Sequence, residues 1–445
     1  MSNQHKKNCR ESVAFVNLGC PKNLVDAEVM GEVLESADFH VIDDPESARI
    51  VVVNTCGFIE PAKKESIDEI FSVIEGQRQQ ILIVAGCLAE RYSDELISEI
   101  PQISGLIGVN DIDSIDEVVE EALQGNRTVK QCEAGPVVDA RRRRRQTETH
   151  YGYVKIAAGC SRGCAFCAIP QIRGPYRSKS PKIIHAEVQS LVQDGAKEII
   201  LIAQDTASYQ LSGGQGLLDL LRSLSMRFSD SWFRIMYVHP SAVSWPLIEL
   251  LAESKNICSY LDVPLQHSSA DVLKRMNRSE DPGRVRDLLV NARKQYPHLS
   301  IRATFLVGHP GEKEEDFREL TAFVRPIRPD HTAVFSYSPE ENTAAHSQSD
   351  QISPEVSRNR KQQLVDIGRQ ISHDVKQRFV GEILPVLVDE RSEQGILGRH
   401  QGQAPDIDGY VFLDDGHDLQ GVEPGDLVQV EITGAEEVDV WGKVL

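Results

Sequence analysis

The chain has 445 residues, a length that accommodates two to four domains of ordinary size. It carries 48 Lys and Arg against 67 Asp and Glu, and a formal net charge of −19 disfavours binding to nucleic acid over a broad surface. No apolar run approaches the ~20 residues of a membrane helix, and the short apolar stretch that follows Lys6, Lys7 and Arg10 is interrupted by Asn17. We therefore expect a cytoplasmic protein that does not bind membranes and that prefers a basic partner.

The first predicted domain, residues 11–135, alternates three apolar runs of strand length with three helix-like stretches, which predicts an open parallel α/β sheet. The strands are expected at Ser12–Leu18, Arg49–Asn54 and Gln80–Ala85, and the helices at Asn23–Ser36, Ile59–Glu75 and Ala89–Glu99. Residues 136–150 are predicted to be a linker. Its five arginines, Arg141–Arg145, form a solvated hinge or, as the alternative, an RNA or ribosome contact.

The second predicted domain, residues 151–375, contains six more strand–helix units, which favour a (β/α)6-type partial barrel. Its strands are expected at Tyr153–Ala157, Glu198–Ala203, Phe233–Val238, Tyr260–Val263, Ile301–Val307 and Thr332–Ser336. Residues 376–445 contain short strands separated by turns, the pattern of a small antiparallel β-barrel. This last segment has five cations and fifteen anions, a net charge of −10, so it is the most acidic part of the chain.

Three of the nine cysteines fall within eight residues. Val154–Cys167 has the sequence VKIAAGCSRGCAFC, and Cys160, Cys164 and Cys167 follow the first predicted barrel strand, where parallel barrels place their active sites. Three thiolates on one loop can hold three irons of a cubane 4Fe–4S cluster and leave the fourth iron open for a ligand. The alternative is a structural zinc site, which needs a fourth Cys or His, and the nearest candidate, His150, lies on the other side of a strand.

A second group of three cysteines is spread along the first domain. Cys20, Cys56 and Cys87 each follow an apolar strand, in AFVNLGC, VVVNTCG and ILIVAGC, and the carboxyl ends of parallel strands meet at one edge of a sheet. They are either three separate buried cysteines or the ligands of a second 4Fe–4S cluster with one open iron. Their equivalent positions favour the cluster. Cys9, Cys132 and Cys258 lack such partners and are expected to be structural or incidental.

The CxxxCxxC spacing, with Phe166 before the last cysteine, resembles the radical S-adenosylmethionine (SAM) superfamily. The order of parts, from residue 12 to 445, resembles the methylthiotransferase family within it, which has an N-terminal cluster domain, a radical SAM core and a C-terminal TRAM barrel. The resemblance is carried by the following segments: LGCPKNLVDAEVM (18–30), VVVNTCGFIEPAKKES (51–66), IPQIRGPYRSKS (169–180, except Lys179), IAQDTASY (202–209), DVPLQHSSADVLKRMNR (262–278) and VDVWGKVL (438–445).

Four residues are candidates for contact with SAM. The resemblance implies that Phe166 lies near the adenine, unless it is only a loop hydrophobe, and that Gly308 in the turn GHPGE belongs to a glycine-rich SAM-binding element. Gln204 and Gln266 follow the second and fourth barrel strands and are either SAM contacts or caps of a loop backbone. No catalytic residue is assigned beyond the six cysteines, because the central step moves a hydrogen atom.

The resemblance implies insertion of a methylthio group at the β-carbon of a loop aspartate in ribosomal protein S-twelve, with electrons from a flavodoxin- or ferredoxin-like donor. The nearest alternative is the same chemistry on a tRNA adenosine. The acidic C-terminal segment argues against direct tRNA binding and fits a very basic ribosomal protein. A third alternative is an RNA- or ribosome-binding protein in which the clusters are only structural.

Overall fold

The computed structural model describes residues 11–76, 79–137, 142–211, 213–393, 395–414 and 421–445; Cys9 and Arg141 lie outside these ranges. The chain forms two compact units. The first comprises the chain up to Gln146 together with 158–162 and 167–179, and the second comprises 147–157, 163–166 and 180–445. Within the described ranges, no helix combines the length and the hydropathy that a membrane span requires.

The first unit contains a six-stranded sheet in which every pairing is parallel, in the order β2-β1-β3-β4-β5-β6. This confirms the predicted open α/β sheet. The strands are β1 (Ser12–Asn17), β2 (His40–Val41), β3 (Ile50–Thr55), β4 (Ile81–Gly86), β5 (Ile103–Ile107) and β6 (Thr128–Lys130). The helices are α1 (Pro21–Ser36), α2 (Glu60–Glu75), α3 (Cys87–Arg91), α4 (Ser93–Glu99) and α5 (Ile115–Leu123).

Alternate residues of the central strands bury two separate cores. On β3, Ile50 and Val52 pack with α1 and α5, whereas Val51 and Val53 pack with α2, α3 and α4. All six residues of β3 are buried, which explains why its first four residues, Ile50–Val53, are all apolar rather than alternating. Because helices cover both faces of the sheet, polar functional groups are expected at the ends of the strands.

Three details of this unit depart from the expectation. The helix predicted at 89–99 is two helices, α3 and α4, that meet at Tyr92. Strand β5 was not expected because Gly105 interrupts its apolar pattern, yet glycine is required there, since a Cβ would lie 2.6 Å from Val118 Cγ1. The short strands β2 and β6 were also not expected.

The arginine run is not a solvated hinge at its described centre. The Arg143 guanidinium lies 3.1 Å from the Glu28 carboxylate of α1, and both side chains are buried. Arg144 pairs with Glu35 and Asp43. The solvated-hinge prediction is therefore wrong for Arg143, because Glu28 of α1, more than 100 residues away in the sequence, provides a buried partner.

The core of the second unit is built from six parallel strands in two three-stranded sheets, β11-β10-β7 and β12-β13-β14. The expected partial barrel thus has six strands with a break between β11 and β12. The strands are β7 (Tyr151–Lys155), β10 (Glu198–Ile202), β11 (Trp232–Ile235), β12 (Tyr260–Gln266), β13 (Ser300–Val307) and β14 (His331–Ser336). Strands β8 (Ala157–Ala158) and β9 (Arg177–Ser178) form a separate two-stranded sheet beside the cysteine loop, and β9 belongs to the first unit.

Helices separate these strands as a parallel arrangement requires. They are α6 (Ile169–Arg173), α7 (Pro181–Gln193), α8 (Leu217–Arg227), α9 (Trp245–Glu253), α10 (Ala270–Arg275), α11 (Pro282–Gln295), α12 (Glu314–Ile327) and α13 (Pro354–Lys376). Of these, α6 belongs to the first unit, because residues 167–179 cluster with the six-stranded sheet.

The C-terminal segment forms a closed five-stranded barrel in the order β15-β16-β17-β19-β18. Its strands are β15 (Ile383–Ser392), β16 (Gly395–His400), β17 (Val411–Leu413), β18 (Leu427–Ala435) and β19 (Val440–Val444). The predicted barrel is confirmed with one correction: β17 and β19 pair in parallel, so the barrel is mixed rather than antiparallel. The reason is that β19 closes the barrel between β17 and β18, and its hairpin partner is β18.

Candidate functional site

Three cysteines of the first unit lie at the carboxyl edge of its parallel sheet. Cys20 is the N-cap of α1 after β1, Cys56 directly follows β3, and Cys87 begins α3 directly after β4. Strands β1, β3 and β4 are neighbours in the sheet. The structure therefore brings these three residues to one edge, and the thiols are close enough to interact electrostatically with one another.

Glycines beside these cysteines permit close approach of the backbone. A Cβ on Gly57 would lie 2.7 Å from the Cys87 carbonyl oxygen, and a Cβ on Gly19 would lie 2.9 Å from Cys56 Cβ. Gly19 also has a φ of +93°, which favours glycine. The cysteine edge is thus packed too tightly for a side chain at either position.

Two asparagines tie the strand ends together. The Asn23 side-chain amide donates to the carbonyl oxygens of Thr55 (2.9 Å) and Leu18 (3.2 Å). Asn54, the fifth residue of β3, donates in return to the Asn23 carbonyl oxygen at 2.7 Å. These hydrogen bonds hold the turn that carries Cys20 against the strand that carries Cys56.

The pKa values of the three thiols are shifted in different directions. Burial and the neighbouring Cys87 raise the pKa of Cys56 to about 12, and burial also raises the pKa of Cys87. Burial opposes ionisation of Cys20 as well, but Lys22, Arg173 and two backbone N–H groups outweigh it, so the pKa of Cys20 is lowered. A thiolate is the form that binds a metal, and these cations are what the site offers to stabilise it.

Arg173, at the end of α6, is the residue of this site that sequence reasoning missed. Its side chain is buried, and it donates to Asp26 Oδ2 (2.9 Å), Asn23 Oδ1 (2.7 Å) and Cys87 Sγ (3.4 Å). The segment IPQIRGPYRSKS is one of the family-like motifs, but nothing in its pattern places the arginine beside cysteines more than 80 residues away. Lys179 of the same segment is buried.

The donor set of this edge fits an iron–sulfur cluster. Among the described residues, no three His, Cys, Asp or Glu side chains converge closely enough to ligate a single metal ion. The thiolates of a cubane bind different irons and need not converge on one point. Soft thiolates are the ligands that iron–sulfur clusters take, and this edge offers three of them.

The second cysteine group lies on the loop after β8. The backbone N–H of Cys160 donates to the Gly174 carbonyl oxygen (3.1 Å), and Asn277 Nδ2 donates to the Gly163 carbonyl oxygen (2.7 Å) just before Cys164. Gly159 and Gly163 both have positive φ, which bends the loop. Cys160, Cys164 and Cys167 are all partly exposed. Their joint ligation of one cluster remains a prediction.

Phe166 and Gly308 have defined roles in the second unit. Phe166 packs against Val272, Leu273, Met276 and Leu306, and its ring centroid lies 6.4 Å from that of His309. Gly308 has a φ of +77°, and its N–H donates to Glu312, which also accepts from His309 N and from Arg360. Glu312 therefore closes the glycine-rich turn.

Polar atoms without partners occur at the carboxyl ends of the core strands. Gln204 Oε1, His267 Nε2 and His309 Nε2 are buried and find no hydrogen-bond partner among the described residues. Gln204 follows β10, and the two histidines directly follow Gln266 and Gly308, the residues selected from the sequence. Gln266 itself ends β12 with a φ of +66°. Buried polar atoms left unpaired in this way fit a polar ligand.

The two histidines present opposite hydrogen-bonding groups. Burial lowers the pKa of His309 to about 4 and that of His267 to about 3, so both rings are neutral at neutral pH. His309 Nδ1 faces the Pro310 carbonyl oxygen at 3.1 Å and must carry the proton, which leaves Nε2 an acceptor. His267 Nδ1 accepts from Ser269 N–H at 3.0 Å, which leaves Nε2–H a donor. Together they suit a ligand with both an acceptor and a donor, as adenine has.

Comparison with known families assigns all three segments. Residues 12–108 match the family described as uncharacterized protein family UPF0004, residues 154–324 match the radical SAM superfamily, and residues 380–445 match the TRAM domain. Among solved structures, the radical SAM methyltransferase TsrM from Kitasatospora setae, with cobalamin and a 4Fe–4S cluster bound, has a TM-score of 0.56 at 15% identity, covering 75% of this chain and 74% of that chain. That likeness shows a shared fold.

Curated relatives match nearly the whole chain. Ribosomal protein uS12 methylthiotransferase RimO of Desulforudis audaxviator is 40% identical over 442 residues, covering 97% of each chain. The RimO of Thermotoga maritima is 39% identical over 432 residues, covering 96% of this chain and 98% of the relative.

The fold and the cysteine loop thus define a radical SAM enzyme, a class that uses SAM and a 4Fe–4S cluster. Within that class the relatives are specific, and the chain belongs to the RimO family of methylthiotransferases. The resemblance drawn from the sequence motifs is confirmed.

Proposed function

We propose that this enzyme inserts a methylthio group at the β-carbon of a loop aspartate of ribosomal protein uS12, giving 3-methylthioaspartate. The observation that carries the proposal is the presence of a second cysteine trio, Cys20, Cys56 and Cys87, at one sheet edge of a chain that matches RimO over 97% of its length. A radical SAM enzyme that only cleaves SAM has no need of this edge.

Two sets of residues would hold the metal cofactors. Cys160, Cys164 and Cys167 would ligate the cluster that binds SAM, and Cys20, Cys56 and Cys87 would ligate a second 4Fe–4S cluster. When bound, these groups supply one-electron cleavage of SAM and an open iron for sulfur. The electrons would come from a flavodoxin- or ferredoxin-like partner.

The remaining residues of the core would bind and orient SAM. Phe166 offers an apolar wall from a packed position. Gly308 would contact SAM through its backbone, and its missing side chain leaves room for Ser357, whose Oγ would clash with a Cβ at this position. His309, His267 and Gln204 offer the unpaired polar atoms. Gln266, at the end of β12, would also contact SAM.

The C-terminal barrel supports a basic protein substrate rather than tRNA. Its net charge is −10, and acidic side chains such as Glu382, Glu390, Glu423 and Glu431 are exposed. A surface of this sign attracts a basic ribosomal protein and repels phosphate. We accordingly propose a cytoplasmic location, where ribosomal proteins are made and assembled.

The proposed division of labour assigns residues 11–135 to the second cluster, 136–150 to a connecting segment, 151–375 to SAM and 376–445 to substrate attraction. Its test is a pair of cysteine variants, assayed after anaerobic reconstitution with uS12, SAM and a reductant. Cys56→Ser should still cleave SAM to 5′-deoxyadenosine and should make no methylthiolated uS12, whereas Cys160→Ser should do neither. Cys132→Ser, at an exposed cysteine, is the matched control and should behave like the parent.

Mass spectrometry of uS12 and of tRNA from the same reactions decides the substrate. Methylthio-uS12 formed by Cys56→Ser would refute the role of the second trio. Modified tRNA with unmodified uS12 would refute the protein substrate. Iron analysis of the parent should give about eight irons per chain, as expected for two cubanes.

A further inference from the structure

Arg173 is a buried cation, although burial by itself disfavours a charged side chain. It is the last residue of α6, a one-turn helix. Ile172 of this helix and Ala168, its N-cap residue, pack with Cys87 and Val109 in a small apolar cluster. Its side chain is only 4% exposed. A guanidinium placed in an apolar cluster is costly unless its charge is balanced and its N–H groups are satisfied.

Its partners account for the orientation of the side chain. One terminal nitrogen donates to Asp26 Oδ2 at 2.9 Å, and the other donates both to Asn23 Oδ1 at 2.7 Å and to Cys87 Sγ at 3.4 Å. Asn23 is also 3.4 Å from Cys87 Sγ through its Oδ1. Asp26 and Asn23 both lie on α1, whose N-cap is Cys20. The guanidinium therefore joins the helix that starts at one cysteine to the sulfur of another.

The charge inventory shows what Arg173 balances. Asp26 supplies one negative charge, which by itself would neutralise the guanidinium. When Cys20, Cys56 and Cys87 are thiolates, three further negative charges enter the same buried region, and Arg173 acts electrostatically on all three sulfurs. Lys22 is a second cation, and it acts on Cys20. Arg173 donates directly to the Cys87 sulfur, so it would influence a bound cluster through a hydrogen bond as well as through its charge.

We propose that Arg173 is a positioning residue for the second cluster: it anchors Cys87 through a charge-assisted hydrogen bond and raises the reduction potential of the cluster. A fixed positive charge beside a cluster makes the addition of an electron easier, and hydrogen bonds to cluster sulfurs act in the same direction. This inference rests on the proposed function, because it requires that Cys20, Cys56 and Cys87 hold a cluster.

The test uses the full chain with Cys160, Cys164 and Cys167 replaced by Ala, so that only the second cluster can assemble. After anaerobic reconstitution, iron and sulfide per chain are determined, and the midpoint potential is measured by a redox titration followed by electron paramagnetic resonance. In this background Arg173→Gln should lower the potential. Asp26→Asn, which removes the opposing anion, should raise it. Arg173→Lys, which keeps the charge, should stay close to the parent.

Arg177→Gln is the matched control, because Arg177 lies in the same segment but donates to Asn110 and Pro175 rather than to a cysteine. It should leave the potential unchanged. An Arg173→Gln protein with full iron and an unshifted potential would overturn the proposal, as would equal shifts in Arg173→Gln and Arg177→Gln. If Arg173→Gln fails to load iron, unchanged potentials in Asp26→Asn would overturn it. A background protein that binds no iron would instead overturn the proposed function itself.

Discussion

Among single residues, the glycines next to Cys20, Cys56 and Cys87 matter because they place no side chain beside the sulfur atoms. Gly57 is the clearest case, because it is surrounded by backbone atoms of α3 rather than by flexible side chains. The neighbouring chain cannot move without displacing Cys87, which begins that helix. Glycine is therefore part of the ligand geometry although it has no side chain to bind anything.

Gly57→Ala should accordingly damage the second cluster. The new Cβ would lie 2.7 Å from the Cys87 carbonyl oxygen and 2.8 Å from Leu88 Cα, and we expect a loss of about 1–3 kcal/mol in stability together with reduced iron retention. Thermal unfolding and iron analysis check this. Gly135→Ala, at a glycine with no heavy atom within 4 Å of a Cβ, should change neither quantity. A Gly57→Ala protein with two full clusters would show that the edge can expand.

At the scale of elements, buried ion pairs fasten the C-terminal barrel to the core within the second unit. Arg399 of β16 lies 2.6 Å from Glu198 of β10 and 2.7 Å from Asp389 of β15, and Glu198 also pairs with Arg234 of β11 at 2.7 Å. Arg234, Arg399 and Glu198 have no exposed surface. The two arginines lower the pKa of Glu198 against the effect of its burial.

Removing Arg399 alone should be costly, because two carboxylates would remain in a dry environment. Arg399→Met is expected to lose about 3–5 kcal/mol, the usual penalty for breaking a buried pair. The double variant Arg399→Met/Asp389→Asn, which leaves the Glu198–Arg234 pair intact, should recover part of that loss. Denaturant unfolding measures both, and Arg286→Met, at an exposed arginine, serves as the control. Equal stability of Arg399→Met and the parent would mean that the network contributes nothing.

At the scale of the whole molecule, buried neutral histidines make stability depend on pH. Burial lowers the pKa of His331 to about 4 and that of His400 to about 3, as it does for His267 and His309 in the core. In the unfolded chain each histidine takes up a proton near pH 6.5, whereas the folded chain resists protonation until the pH reaches the lower value. Their contribution to the free energy of unfolding is complete above pH 6.5 and is lost as the pH falls toward 4.

The thermal midpoint should therefore decrease between pH 7 and pH 5. Each such histidine contributes up to about 2 kcal/mol to the loss between pH 6.5 and 5. His400→Asn keeps an acceptor for the Gly402 N–H that now bonds to His400 Nδ1, and it cannot titrate, so its stability should fall less steeply with pH. His346→Asn, at an exposed ring, should follow the parent curve. Parallel curves for His400→Asn and the parent would contradict this account.

Local sequence pattern is sufficient to predict the six parallel core strands, the C-terminal barrel and the placement of Cys20, Cys56 and Cys87 at strand ends. These features follow from local periodicity, since a buried strand is an apolar run and the residue after it lies at the sheet edge. The motifs were also specific enough to indicate the family. Strands β5 and β6 and the parallel pair β17–β19 could not be derived, because pairing depends on neighbours that local pattern does not name.

Which charged side chains pair with each other depends on the tertiary fold. Arg173 reaches Asp26 across 147 positions, Arg399 reaches Glu198 across 201, and the arginine run finds its anions on and beside α1. The same holds for His267 and His309, which lie beside the positions that the motifs indicate. Each has one buried ring nitrogen without a hydrogen-bond partner among the described residues. Charged groups and ring nitrogens do not recur with the period of a helix or a strand. Their roles depend on the burial and the partners that folding gives them.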